Sequence, residues 1–210
     1  MTTGARFITL EGGEGSGKST QARLLADYLG SRGQAVVLTR EPGGTPGAEA
    51  IRSLLVTGDP DRWTAWTEAC LVNAARADHV IRVVRPALER GDWVICDRFV
   101  DSTRAYQGTG KGIADADLCA LHSMATGDLW PDLTIVLQVA PGQGLARARA
   151  RGDAEARFEA HDAAFHNRIA MFFAALPGLE PVRCRGFDAN QSIESLHEAI
   201  AAEVAATAPA

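Results

Sequence analysis

Short, nearly unbroken apolar runs alternate along the chain with longer stretches in which apolar residues recur at helical spacing. The runs at Arg6 to Glu11, Ala35 to Thr39, Trp93 to Asp97 and Leu133 to Val139, typified by TIVL at Thr134 to Leu137, read as strands buried on both faces. Pro181 to Cys184 carries a fainter version of the pattern. Helical stretches fall between them, at Lys18 to Leu29, Glu49 to Leu55, Thr67 to Arg90, Ala114 to Ala125, Asp162 to Leu176 and Ile193 to Ala206. The third is expected to break near Pro86, which has no N–H and crowds the preceding turn. Strand alternating with helix predicts an α/β fold, three layers deep, with a mostly parallel five-stranded sheet between helices. Ligands on such sheets gather at the carboxyl ends of the strands. No repeat or long linker interrupts the pattern, so residues 1–210 are expected to form one domain.

Composition adds mainly exclusions. An apolar fraction of 46% and a charged fraction of 22% are those of an ordinary globular protein. A net charge of -5 gives no general reason to expect a nucleic-acid partner, which would want a basic face. No apolar run is long enough to span a membrane, and the first residues lack a signal-peptide core. Cys70, Cys96, Cys119 and Cys184 are scattered without a CxxC pair, which suits a cytoplasmic enzyme with reduced thiols. Lys18 and Lys111 are the only lysines in an arginine-rich chain, which draws attention to each.

Lys18 lies in GGEGSGKS, Gly12 to Ser19, which satisfies the phosphate-loop pattern G-x-x-x-x-G-K-S. The motif follows the run FITLE and opens the helical stretch KSTQARLLADYL, the strand–loop–helix context it requires. Gly12, Gly13, Glu14, Gly15, Ser16, Gly17, Lys18, Ser19 and Thr20 are the candidate triphosphate cradle. Glycines let successive N–H groups point at one anion, and the helix start adds its positive dipole end. Lys18 is expected to reach the β- and γ-phosphates and Ser19 to bind Mg²⁺.

Two further clusters sit at strand ends: TREPGGT, Thr39 to Thr45, and DRFVDSTRAYQG, Asp97 to Gly108. Each carries an arginine, Arg40 or Arg98, whose planar fork can clamp a phosphate. Either alone reads more readily as a surface ion-pair partner; beside a phosphate loop, the pair points to a second phosphate.

The segments TREPGG, DRFVDSTRAYQG, WPDLTIVLQV, RARARGDAEARFE and DANQSIESL occur in the order found in bacterial thymidylate kinases, and the chain resembles that family over nearly its whole length. The resemblance implies a phosphate-loop nucleoside monophosphate kinase that moves the γ-phosphoryl of ATP to dTMP with Mg²⁺, as a homodimer. Matching positions imply that Glu14 accepts from the deoxyribose 3′-hydroxyl and that Arg40 and Arg98 clamp the dTMP phosphate. Arg76 would donate to thymine O4, and Thr103 and Gln107 would lie near the pyrimidine edge. Tyr106 would lie on the sugar's 2′ side and Asp97 would hold the Mg²⁺ water shell, though a helix cap or an ion pair with Arg98 also suits Asp97. Val72 stands where many members have a phenylalanine stacked on the base, and Phe99 where tyrosine or histidine is common.

Such kinases place a charge-neutralising arginine either in the phosphate loop or in a lid. Gly15 occupies the loop position, so the resemblance assigns the role to a lid at about 144–160, with Arg151 and Arg157 as catalytic candidates beside Lys18 and Arg98, and Arg147 third. An arginine-biased solvated helix is the plain alternative. DANQSIESL resembles an adenine loop, with Asn190 and Gln191 beside the base, or a simple helix entry. The acceptor is already anionic, so no general base is expected, and His79, His122, His161, His166 and His197 form no evident constellation. Rival readings are a kinase for another pyrimidine monophosphate and an ATP-binding switch.

Overall fold

A computed structural model describes residues 6–59, 61–140, 142–144, 146–147 and 161–207. Five parallel strands form one sheet in the order β2-β3-β1-β4-β5. They are β1 (Phe7–Gly12), β2 (Val36–Arg40), β3 (Trp93–Asp97), β4 (Leu133–Gln138) and β5 (Cys184–Asp188). Every residue of β1 is buried, as a central strand between two helical layers requires. Ile8, Leu10, Ile95 and Ile135 pack on one face against Leu25 and Leu29 of α1 (Lys18–Ser31) and Leu196, Ile200 and Val204 of the last helix (Ile193–Thr207). Phe7, Val94 and Cys96 face the other layer, with Val80, Val84 and Phe99.

β1 is also where the sheet's winding reverses, since β3 pairs with one edge and β4 with the other. Its carboxyl end therefore opens into a crevice, the expected ligand position. The register places Arg40 beside Asp97 across β2 and β3, and Leu10 beside Asp97 across β1 and β3.

Two expected boundaries move. The fifth strand runs Cys184–Asp188, not Pro181 to Cys184: residues 181–183 form a turn in which the Cys184 N–H donates to the Glu180 carbonyl. As an edge strand, CRGFD is only half buried, so its sequence lacks the continuous apolar run of the inner strands. The long third helical stretch divides into α3 (Ala65–His79), a wide π-turn (Val80–Val84) and a short helix (Arg85–Glu89) holding Pro86 in its first turn. The widened turn immediately ahead of the proline is where its missing N–H and its ring disturb the ladder. After β3, a helical turn (Val100–Thr103) passes into a second wide turn (Arg104–Gly110) that carries the AYQG segment. No helix among the described residues is long and apolar enough to cross a membrane.

Candidate active site

The loop between β1 and α1 is shaped by its glycines at two points that matter most. Gly17 caps α1 with φ 93°, a left-handed conformation that ordinary side chains avoid. Gly15 has φ 67°, and a Cβ there would lie 1.9 Å from the Gly144 carbonyl oxygen. The backbone at residue 144 thus occupies the space that a side chain at Gly15 would need. Lys18 is buried inside the loop, with Nζ donating to the Gly13 carbonyl at 2.8 Å and the Gly12 carbonyl at 3.2 Å. Burial, reinforced by the nearby Arg98 charge, lowers its pKa. The Ser19 hydroxyl donates to Asp97 Oδ2, so a hydroxyl and a carboxylate oxygen meet at the helix start. Oxygen donors of this kind suit Mg²⁺.

Arg98 joins this cradle to a second pocket. Its backbone is held at φ 70°, unusual for a residue with a side chain. Nη1 donates to the Gly12 carbonyl and to Ser102 Oγ, both at 3.2 Å, and Nη2 donates to Glu14 Oε1 at 2.8 Å. The Tyr106 hydroxyl donates to the same Glu14 oxygen at 2.7 Å. Burial would raise Glu14, but the Arg98 and Lys18 charges and the Tyr106 bond outweigh it and hold the carboxyl at about 2. Glu14 is therefore an anion that only donors can approach.

The pocket that opens here is lined by Glu14, Arg98, Val72, Arg76, Thr103, Tyr106 and Gln107, seven of the eight residues expected to bind the acceptor. Glu41, Pro42, Val56, Phe99 and Ser102 complete it. The eighth, Arg40, stands apart. Its side chain is 52% exposed, its Nη2 donates to both Glu49 oxygens at 3.0 Å, and it lines a neighbouring cleft with Ser19, Thr39 and Asp97. Glu49 attracts it from the first turn of α2 (Pro46–Val56), where it also accepts the Gly44 N–H.

Arg76 is almost wholly buried and fully engaged on one side. Nε donates to Glu41 Oε2 at 2.8 Å, Nη2 to Thr103 Oγ1 at 2.8 Å and Nη1 to Asn73 Oδ1 at 3.2 Å, over the Phe99 ring at 5.0 Å. Glu41 Oε1 pairs with His79 Nδ1 at 2.9 Å, and His79 Nε2 with Thr39 Oγ1 at 2.8 Å. His79, which showed no constellation in the sequence, thus belongs to a buried chain ending on the pocket arginine. Burial pushes Glu41 up, yet Arg76 and His79 together hold it below the usual carboxylate range.

The sequence reading missed three acids. Glu41 supports Arg76. Glu11 accepts the Phe99 and Ser102 N–H groups and the Ser102 hydroxyl, and so holds the chain that carries Arg98. Glu68 holds Gln107. Glu11 is the single charge in the apolar run FITLE, and a charge placed where burial is expected was the available signal for it.

Of the arginines expected in a lid, Arg147 donates to the Ala189 carbonyl at 3.0 Å, at the edge of the expected adenine loop. Asn190 and Gln191 bond back to Asp188 there. A cleft lined by Gly13, Val139, Asn167, Asp188 and Asn190 connects that loop with the phosphate cradle. Arg151 and Arg157 lie outside the described residues.

The chain is similar to known proteins over most of its length. The family model described as Thymidylate kinase matches residues 10–200. The thymidylate kinase of Caulobacter vibrioides is 51% identical over 200 residues, 95% of each chain, and that of Thermomicrobium roseum is 50% identical over 198 residues, 94% of this chain and 93% of the other. A crystal structure of thymidylate kinase from Ehrlichia chaffeensis superposes with a TM-score of 0.76 at 33% identity, covering 95% of this chain and 98% of that one. With likeness of this extent, the chain belongs to the thymidylate kinase family.

Proposed function

We propose that the protein transfers the γ-phosphoryl of ATP to dTMP, yielding ADP and dTDP on the route to dTTP. The carrying observation is Arg98, which touches the Gly12 carbonyl of the cradle and the Glu14 carboxylate of the pocket with one guanidinium. A donor phosphate in the loop and an acceptor phosphate in the pocket would meet at that fork.

In this reading a dTMP phosphate oxygen attacks the γ-phosphorus in line, and the bond to the β–γ bridging oxygen breaks with its electrons leaving on ADP. The nucleophile is already anionic, so no side chain needs to remove a proton. Lys18 and Arg98 neutralise charge, and the buried setting strengthens each contact. Arg151 and Arg157, in the proposed lid at about 144–160, belong to the same reading, as does Arg40, once released from Glu49 to the acceptor phosphate. Ser19 and Asp97 would hold Mg²⁺, which when bound supplies neutralisation of the β- and γ-phosphate charge. Glu14 and Tyr106 suit the sugar, and Arg76 a base oxygen. The whole chain would act as one kinase domain in the cytoplasm. A homodimer through α3 is supported by the exposed Trp66 on that helix, and sedimentation tests it.

The deciding experiment measures ADP release with ATP, Mg²⁺ and each nucleoside monophosphate in turn. Turnover that requires dTMP supports the reading. Turnover without any acceptor, or none with any acceptor, overturns it.

A further inference from the structure

Glu68, in the first turn of α3, is completely buried, and a buried carboxylate needs donors on both oxygens. Two side chains supply them, one within the second wide turn and one just beyond it. Gln107 Nε2 donates to Oε1 at 2.7 Å and Lys111 Nζ to Oε2 at 3.0 Å. Lys111 is the one lysine besides that of the phosphate loop. Gln107 is itself buried and lines the acceptor pocket.

An amide can offer a ligand either its carbonyl or its NH₂, and its other partner decides which. A carboxylate only accepts, so Glu68 takes the nitrogen. Gln107 Oε1 accepts from no described residue, which leaves the carbonyl oxygen for a base in the pocket. Arg76, on the same lining, carries donors alone. Of these two residues, Arg76 thus offers the base donors and Gln107 an acceptor. Thymine and uracil present the complement, an accepting O4 beside a donating N3–H. Cytosine presents the reverse, a donating amino group beside an accepting N3.

We infer that Glu68 is a positioning residue for base selectivity: by holding the Gln107 amide nitrogen, with Lys111 anchoring its second oxygen, it aims an acceptor at the base and makes the pocket take 4-oxo pyrimidines and refuse 4-amino ones. The inference rests on a pyrimidine monophosphate occupying this pocket. If Glu68 only ties α3 to the turn, its loss lowers stability and leaves selectivity alone.

The test compares kcat/KM for dTMP and dCMP in the wild type, Glu68→Gln, Gln107→Ala and the double variant. An amide at position 68 can donate as well as accept, so Gln107 is free to turn over. Glu68→Gln should lower the dTMP-to-dCMP ratio about tenfold and raise KM for dTMP, with KM for ATP unchanged. Adding it to Gln107→Ala should change the ratio less than about twofold, because the effect travels through that amide. Should Glu68→Gln not fold for want of a partner for Lys111, the paired change Glu68→Gln with Lys111→Met carries the same comparison. A folded variant that keeps the wild-type ratio overturns the positioning role alone. A wild type that phosphorylates no pyrimidine monophosphate overturns the acceptor reading, and this inference with it.

Discussion

Arg98 Nη2 and Glu14 Oε1 lie 2.8 Å apart although 84 positions separate them in the chain. The contact closes the pocket lined by Arg76 and Tyr106 onto the loop after β1, because the other arm of the same guanidinium rests on the Gly12 carbonyl. A lysine at this position would keep the charge and lose the fork. Arg98→Lys is expected to lower kcat/KM for dTMP by about a hundredfold with little change in melting temperature. Steady-state kinetics beside a thermal melt check this, and near-normal turnover would remove Arg98 from the phosphate-handling role.

Arg40 should behave differently from Arg98. Its bond to Glu49 is exposed, and such pairs contribute about 0–1 kcal/mol to stability. Arg40→Ala should therefore leave denaturant stability nearly unchanged. If the side chain swings to the acceptor phosphate during turnover, KM for dTMP rises at least about tenfold in the same variant. An unchanged KM would confine Arg40 to its pairing with Glu49.

The Glu41–Arg76 pair is buried, and removing one partner strands the other. Glu41→Gln is expected to cost about 3 kcal/mol of unfolding free energy, read from urea titrations. It should also weaken dTMP binding, since Nε of the pocket arginine keeps only a neutral acceptor in place of the carboxylate that pairs with its charge. Loss of less than about 1 kcal/mol would show that Asn73 and Thr103 suffice to hold Arg76.

Glu11 predicts a pH dependence. Burial and the neighbouring Asp101 charge raise its carboxyl from 4.5 to about 7, so the folded chain binds that proton more tightly than the unfolded chain. The associated stability is whole below about 4.5 and is lost as pH rises through about 7, a change of about 3 kcal/mol. Glu11→Gln stays neutral and can still accept from the Phe99 and Ser102 N–H groups. Its stability should be flatter than the wild type's between pH 5 and pH 8 (about neutrality on either side). Parallel curves for the two proteins over that window would refute the assignment.

Legibility from sequence followed burial. The inner strands announced themselves because burial on both faces demands continuous apolar runs, as in TIVL; CRGFD, half exposed at the sheet edge, was placed too early. The phosphate loop was readable because its chemistry is local: eight consecutive residues contain the glycines, the lysine and the serine. Val72, Arg76, Thr103, Tyr106 and Gln107 were found through family likeness, and the structure brings them to one pocket. The proline break was anticipated, but the wide turn ahead of it was not, since its shape depends on what Val80 and Val84 pack against.

By itself the sequence determined the layered parallel fold, the glycine-rich loop at the tip of β1 and the strand-end arginines Arg40 and Arg98, because each depends on residue type within a few positions. Only the tertiary structure decided that Arg98 faces both sites while Arg40 turns to Glu49, and that Glu11, Glu41 and Glu68 stand behind Arg98, Arg76 and Gln107. Those choices depend on which charges share a buried space. A low-dielectric interior makes every buried carboxylate find its donors, wherever in the chain they lie.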